Sequence, residues 1–451
     1  MIDHNETHAG CTLEGAWSGS TDVAGRRVAL VLHVARADDG WTVHADFPQL
    51  HRSGMPFSDV SIESGELRFR SRSLGAFEGR LADDGERVEG MFRDGGTVRP
   101  IALQRGVAAP RAPARPQHPQ PPFDYAVEDV FIDGPGGRLA GTLTTPRGRA
   151  RALALLVPGS GAMDRDETVF DHKPFLVLAD HLARHGYASL RLDDRGVGAS
   201  TGDRSAITLR DEADDQRCAL DWLAARADLQ HVPIGLIGHS MGATVAGIVA
   251  GECPRVAFLV SMAGAGAALA EVFAAREGDA LRRLGVDAGV IGRHAPFARA
   301  LFDELRDRPV DAAIDAAQIF AIAERFDAAE GARKLGIKAW IARYNEPWFR
   351  SALRLDPMQA LARIAAPFLA INGERDLQVP SRANLDAIAH ALRAAAHRDF
   401  TILELPALNH LFQTCTTGEA YEYPVIEETF APIALDTIRG WLDTRFGAPV
   451  A

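Results

Sequence analysis

Cysteine is scarce: Cys11, Cys218, Cys253 and Cys415 are the four in a chain of 451 residues. They are scattered, with no C-x-x-C pair and no Cys/His cluster. That argues against a zinc site and against a disulfide framework, and isolated thiols suit a reducing compartment. Long apolar runs are missing as well. None approaches the roughly 20 residues that a membrane-spanning helix requires. Residues 1–8 hold neither a basic n-region nor an apolar h-region, so no secretory signal is visible. A cytoplasmic location is the expectation, and a processed secreted form is compatible with the same residues. Basic runs are absent and the formal net charge is −11. A nucleic-acid or anionic-membrane surface is therefore not expected.

What remains is an ordinary soluble composition, 47% hydrophobic and 24% charged, with length for two to three domains. Residues 1–106 read as a small antiparallel β domain, a barrel or sandwich. Alternating stretches at 27–35, 41–47, 66–71, 77–81, 87–92 and 98–103 are separated by turn signals such as Ser64-Gly65 and Asp84-Gly85. His33, His44 and His51 lack ligand spacing and are read as structural or exposed. Residues 107–122 carry prolines at a density that forbids helix and sheet interiors, which predicts an extended linker. Beyond it, apolar strands alternate with helical segments over residues 123–263 and 357–451. This pattern predicts a mostly parallel sheet covered by helices on both faces. Between them, residues 264–356 have helical periodicity and no convincing strand, and are read as an inserted helical cap. In the cap, Trp340, Tyr344 and Trp348 fall at i, i+4 and i+8. They either form its own core or bind an apolar group of a substrate.

The chemistry gathers around Gly238-His239-Ser240-Met241-Gly242. A buried strand precedes it and a helix follows, the setting of a G-x-S-x-G nucleophile elbow. There a serine on a tight turn lifts its hydroxyl clear of the sheet, and small flanking residues let neighbouring backbone pass close. A serine nucleophile needs a base, an acid that orients the base, and donors for an oxyanion. Asp376 lies in the loop after the predicted strand 367–371. It is preferred to Glu374, which sits nearer the strand end. His410 follows the strand 400–405, last in the order serine, acid, histidine. Oxyanion donors are expected from the backbone N–H of Met241, at a helix start, and of Ser160, in the loop Pro158-Gly159-Ser160-Gly161. The loop holding Asp193 and Arg195 lacks the full dinucleotide and P-loop fingerprints, and is read as an ion-paired brace for the catalytic loops. Asp164, Arg165 and Asp166 are read in the same way.

With these pieces in place, the chain resembles the α/β-hydrolase superfamily over residues 127–446. Five motifs, at 158–166, 193–200, 347–350, 372–380 and 408–413, look more closely like the EstD-type bacterial carboxylesterases, which also carry an additional N-terminal domain. The resemblance implies Ser240, Asp376 and His410 as a catalytic triad, and hydrolysis of small carboxylic esters of short or medium acyl length. That chemistry needs neither metal nor organic cofactor. The same triad could instead serve a thioesterase, an acyltransferase or cyclase, or a peptidase-like amide hydrolase. Oligomeric state is left open.

Overall fold

The computed structural model describes residues 13–23, 26–37, 40–47, 52–71, 75–94, 97–106, 114–283, 285–309 and 312–447. Cys11, His51 and the first part of the proline-rich stretch, 107–113, lie outside them. The chain divides into two compact units. One comprises Met1–Arg115 with Ala420–Glu427, the other Pro116–Glu419 with Glu428–Ala451.

The first unit is all-β. Its strands are β1 (Gly15–Val23), β2 (Arg26–Ala37), β3 (Gly40–Phe47), β4 (Arg52–Pro56), β5 (Ser58–Glu63), β6 (Glu66–Ser71), β7 (Gly75–Leu81), β8 (Arg87–Asp94) and β9 (Thr97–Arg105). They form one antiparallel sheet in the order β4-β3-β2-β1-β9-β8-β7-β6-β5. Phe57, just before β5, donates its N–H to the Val43 carbonyl in β3 at 2.9 Å, so the sheet nearly closes into a barrel. The period of two sets what is inside. Leu30, Leu32 and Val34 alternate inward from β2, and Leu67 and Phe69 from β6. Phe69 stacks on Phe57 and Phe77 with centroids 4.4 and 4.5 Å apart. Gly79 and Gly90 face each other across β7 and β8. A Cβ on either would meet the Phe77 ring at 2.6 or 2.7 Å, so the ring occupies space that only glycine leaves. β1, β4 and β5 escape the sequence pattern because they are rich in Gly, Ser and Pro rather than alternating apolar residues.

The second unit holds β10 (Ala126–Gly134), β11 (Gly137–Thr145), β12 (Leu153–Val157), β13 (Ala188–Leu192), β14 (Ile234–His239), β15 (Leu259–Met262), β16 (Phe368–Gly373) and β17 (Phe400–Leu405). Their order is β10-β11-β13-β12-β14-β15-β16-β17. β10 and β11 form an antiparallel hairpin, and the strands from β13 to β17 are parallel. Both sheet faces are covered, which explains the unbroken apolar runs. Leu153, Leu155 and Val157 of β12 join one core cluster, Ala152, Ala154 and Leu156 the other.

Helices α1 (Pro174–Arg184), α2 (Leu209–Ala225) and α3 (Met241–Glu252) connect the first strands. The segment between β15 and β16 contains α4 (Leu269–Arg283), α5 (Ala288–Asp307), α6 (Ala316–Glu324), α7 (Ala329–Lys334), α8 (Ile341–Tyr344), α9 (Pro347–Leu353) and α10 (Pro357–Leu361). α11 (Ser381–Ala394) and α12 (Pro432–Phe446) complete the unit. Among the described residues no helix is long and apolar enough to cross a membrane.

β12 connects to β13 on one side of itself, while β14, on its other side, leads on to β15. The strand order therefore reverses at β12. In open α/β sheets the crevice beyond the carboxyl ends of such strands is where ligands bind.

Candidate active site

Ser240 stands between β14 and α3 at φ 54° and ψ −119°. For a residue with a Cβ this conformation costs about 1–3 kcal/mol, and it persists only where its surroundings enforce it. Here they do. The Ser240 N–H donates to the Met262 carbonyl at 2.8 Å. A Cβ on Gly238 would lie 2.3 Å from the Gly242 carbonyl oxygen, and one on Gly242 would lie 2.1 Å from that of Val157. The two glycines thus let the start of α3 press against β14 and the end of β12, leaving the serine half-buried at the turn.

His410, in the loop after β17, brings Nε2 within 3.0 Å of Ser240 Oγ. Its Nδ1 lies 2.8 Å from Asp376 Oδ2. The other carboxylate oxygen of Asp376 accepts the N–H groups of Gln378 and Val379 at 2.8 and 2.9 Å. Both oxygens therefore have partners although Asp376 is only 3% exposed. Glu374 has a different role: it accepts the Ala407 N–H at 2.9 Å and steadies the loop ahead of His410. Asn409 steadies it from the other side, its Oδ1 accepting the N–H groups of Leu411 and Gln413, both at 3.0 Å.

The loop after β12 runs against the serine, since a Cβ on Gly159 would lie 3.4 Å from Ser240 Cβ. The Gly159 N–H is already taken by Glu167 Oε1 at 2.6 Å. The N–H groups of Ser160 and Met241 donate to no group among the described residues. Met241 opens α3, where the helix dipole adds positive potential.

Ion pairs fix this loop from behind. Arg165 binds Asp193 through Nε and Nη2 at 3.1 and 2.8 Å. Asp166 pairs with Arg191 and, at 3.3 Å, with Lys173. Asp164 caps the turn, accepting the N–H groups of Asp166 and Thr168. Arg195 turns to Asp215 of α2 instead, with two contacts of 3.1 and 2.8 Å.

Two residues not named as site candidates from sequence lie beneath these loops. His239 Nδ1 contacts Glu167 Oε1 at 2.8 Å, and its Nε2 donates to the His410 carbonyl at 2.9 Å. Burial opposes charge on His239, but the Glu167 carboxylate outweighs it and the pKa is raised. Their places in the chain were visible, but no local pattern links them. His239 is the variable position just ahead of the serine, and Glu167 lies one residue past the motif 158–166.

A cavity of about 400 Å³ opens beside this loop, lined among others by Ser160, Arg204, Ile207, Arg343 and Trp348. The three cap aromatics do not share a face. Trp348 lines the cavity, and its indole donates to Glu212 at 3.0 Å. Tyr344 is in the cap core, with its hydroxyl on Glu277 at 3.0 Å, and Trp340 is exposed. The periodicity fails because a 3-10 turn ends at Trp340, a short α-helix runs from Ile341 to Tyr344, and Pro347 begins another, so 340–348 is not one continuous helix. Arg204 bridges Asp194 and Glu212, each at 3.3 Å. Burial pushes Glu212 up to about 8 and Asp194 up to about 7. Among the described residues no group of three His, Cys, Asp or Glu side chains is disposed to hold a metal ion.

The model of the X-Pro dipeptidyl-peptidase (S15) family matches residues 133–401, more than half of the chain. The chain belongs to the S15 family. Within this family setting, it is 25% identical over 310 residues to the esterase EstD of Thermotoga maritima. That match covers 67% of this chain and 63% of the relative, less than two thirds of its length. The resemblance to EstD-type carboxylesterases expected from the motifs is thus found. Solved structures align as well. Est1E of Butyrivibrio proteoclasticus, with ferulic acid bound, gives a TM-score of 0.42 at 14% identity, covering 71% of this chain and 100% of that one. The Pyrococcus furiosus esterase Pf2001 gives 0.43 at 15% identity, covering 72% and 94%.

Proposed function

We propose that this S15-family chain is a serine hydrolase of small carboxylic esters, with Ser240, His410 and Asp376 as its triad. The observation that carries this reading is the run of contacts from a strained serine to His410 at 3.0 Å and on to Asp376 at 2.8 Å. Asp376 holds the proton on His410 Nδ1, so Nε2 is free to take the Ser240 proton. Oγ then attacks the ester carbonyl. The N–H groups of Met241 and Ser160 receive the developing oxyanion. His410 returns the proton to the leaving alcohol, and water repeats the sequence to release the acid. The cavity beside Ser160 receives the acyl or alcohol group, with Trp348 as an apolar wall.

Ser240→Ala should lower turnover of 4-nitrophenyl esters by about 10⁴-fold or more. Wild-type-like turnover in that variant would sink the assignment. A second reading, amide cleavage, is favoured by the family's description as a dipeptidyl-peptidase. An X-Pro 4-nitroanilide cleaved faster than matched esters would establish it in place of the first.

A further inference from the structure

The mechanism above uses Ser240, His410, Asp376 and two N–H groups, and leaves a buried ion pair beneath them without a role. Glu167 is 2% exposed and His239 4%. The carboxylate oxygen Oε1 accepts the Gly159 N–H at 2.6 Å and meets His239 Nδ1 at 2.8 Å. The far side of the same imidazole donates to the His410 carbonyl at 2.9 Å. These bonds end on three separate segments. Each endpoint is at, or one residue away from, a working group: Gly159 precedes Ser160, His239 precedes Ser240, and the third is the main chain of His410 itself.

A pair serving stability alone would be an odd choice at this place. Buried ion pairs are often no more stabilising than apolar residues of the same volume. This one also leaves Glu167 Oε2 buried with no hydrogen-bond partner among the described residues. Glu167 further sits at φ +53°, a conformation with a backbone cost for a residue with a Cβ. The turn is built to hold it there, since the Glu167 N–H donates to the Asp164 carbonyl at 2.9 Å while the Asp164 side chain caps the next turn.

We infer that Glu167 and His239 are positioning residues that set the oxyanion loop, the nucleophile elbow and the His410 loop in mutual register. The inference rests on the reading of Ser240 as nucleophile. Taking the Gly159 N–H out of play leaves Ser160 as the next donor toward the oxyanion. Fastening the His410 carbonyl fixes the main chain from which the imidazole reaches Ser240. A displacement of about 1 Å in such groups costs on the order of 100-fold in rate with little effect on ground-state binding.

The test is a split of kcat from KM on a 4-nitrophenyl ester in the full chain, with folding followed by circular dichroism and thermal melting. Glu167→Ala should lower kcat about 100-fold while KM stays within about threefold. Glu167→Gln, whose side-chain carbonyl can still accept the Gly159 N–H while its amide group faces His239 Nδ1, keeps the links to both loops without the charge and should recover kcat to within about tenfold of wild type. Fluorophosphonate labelling of Ser240 should slow in step with kcat. A folded Glu167→Ala with kcat within threefold of wild type overturns the inference, and so does a Glu167→Gln no faster than Glu167→Ala. Should Glu167→Ala not fold, the double variant Glu167→Leu with His239→Phe, which fills the space without charge, is measured instead. Slow turnover in that folded protein supports the inference, and wild-type turnover overturns it. Loss of the underlying reading is seen separately, as ester turnover that survives Ser240→Ala.

Discussion

The two units bury different things. Among the described residues, strands β1 to β9 bury apolar side chains and no charged or polar ones, whereas the second unit buries Glu167, Asp193, Arg195, His239, Asp376 and His410 at or beyond its strand ends and Asp215 in α2. The barrel follows the alternation of its sequence, one face in and one face out. The second unit takes charged groups out of water, which costs stability unless each finds its partner. Most of these groups lie at or beyond the carboxyl ends of β12, β13, β14, β16 and β17, and the strands themselves also bury Thr142, Thr144, Ser189, Arg191 and Ser261, where the barrel strands bury only apolar side chains among the described residues.

The contrast predicts how each unit responds to substitution. The largest effect should come from Asp376→Asn, which keeps the shape but favours the wrong imidazole tautomer. It should lower kcat for ester hydrolysis by about 10⁴-fold, with a melting temperature near that of wild type. Next is Arg195→Met, which strands Asp215 without its partner. Chemical denaturation should show a loss of about 3–5 kcal/mol, the penalty of an uncompensated buried charge. In the barrel, Phe69→Ala should cost a comparable amount, about 3–5 kcal/mol, through the cavity it leaves, with kcat of the folded protein unchanged. A large fall in kcat there would assign the barrel a part in catalysis.

The smallest effect concerns pH. Burial raises Glu212 to about 8 and Asp194 to about 7. A carboxyl whose folded pKa exceeds its unfolded value holds its proton longer when folded. Its contribution to stability therefore falls as pH rises from about 4 through the folded pKa, and is level above it. Glu212→Gln should remove part of that slope. Its melting temperature should decline less than that of wild type between pH 5 and pH 8. Equal slopes in the two proteins would show that Glu212 is ionised across that range.

Much of this was readable in the residues, and the reason is local. The elbow is legible because Gly238, Ser240 and Gly242 must occupy adjacent positions of one tight turn. Asp376 and His410 stand out because each follows an apolar strand closely, and a parallel sheet delivers the ends of such strands to one edge. The barrel and the helical segment between β15 and β16 were readable as periodicities of two and 3.6. Trp340, Tyr344 and Trp348 show where periodicity misleads: spacing groups residues only along an unbroken helix, and here a 3-10 turn ends at Trp340 and Pro347 starts a further helix.

Chain order and local pattern thus decided the architecture of the two units and the place of the elbow and its loops. Tertiary structure decided the partners. Asp193 binds Arg165 while Arg195, two residues on, binds Asp215. Of two carboxylates in one loop, Asp376 meets His410 and Glu374 meets the main chain of Ala407. Glu167 and His239, 72 residues apart, share a proton-bearing contact that no local pattern encodes. Secondary structure depends on neighbours in sequence, but a buried charge is satisfied by whatever the fold carries to within about 3 Å of it.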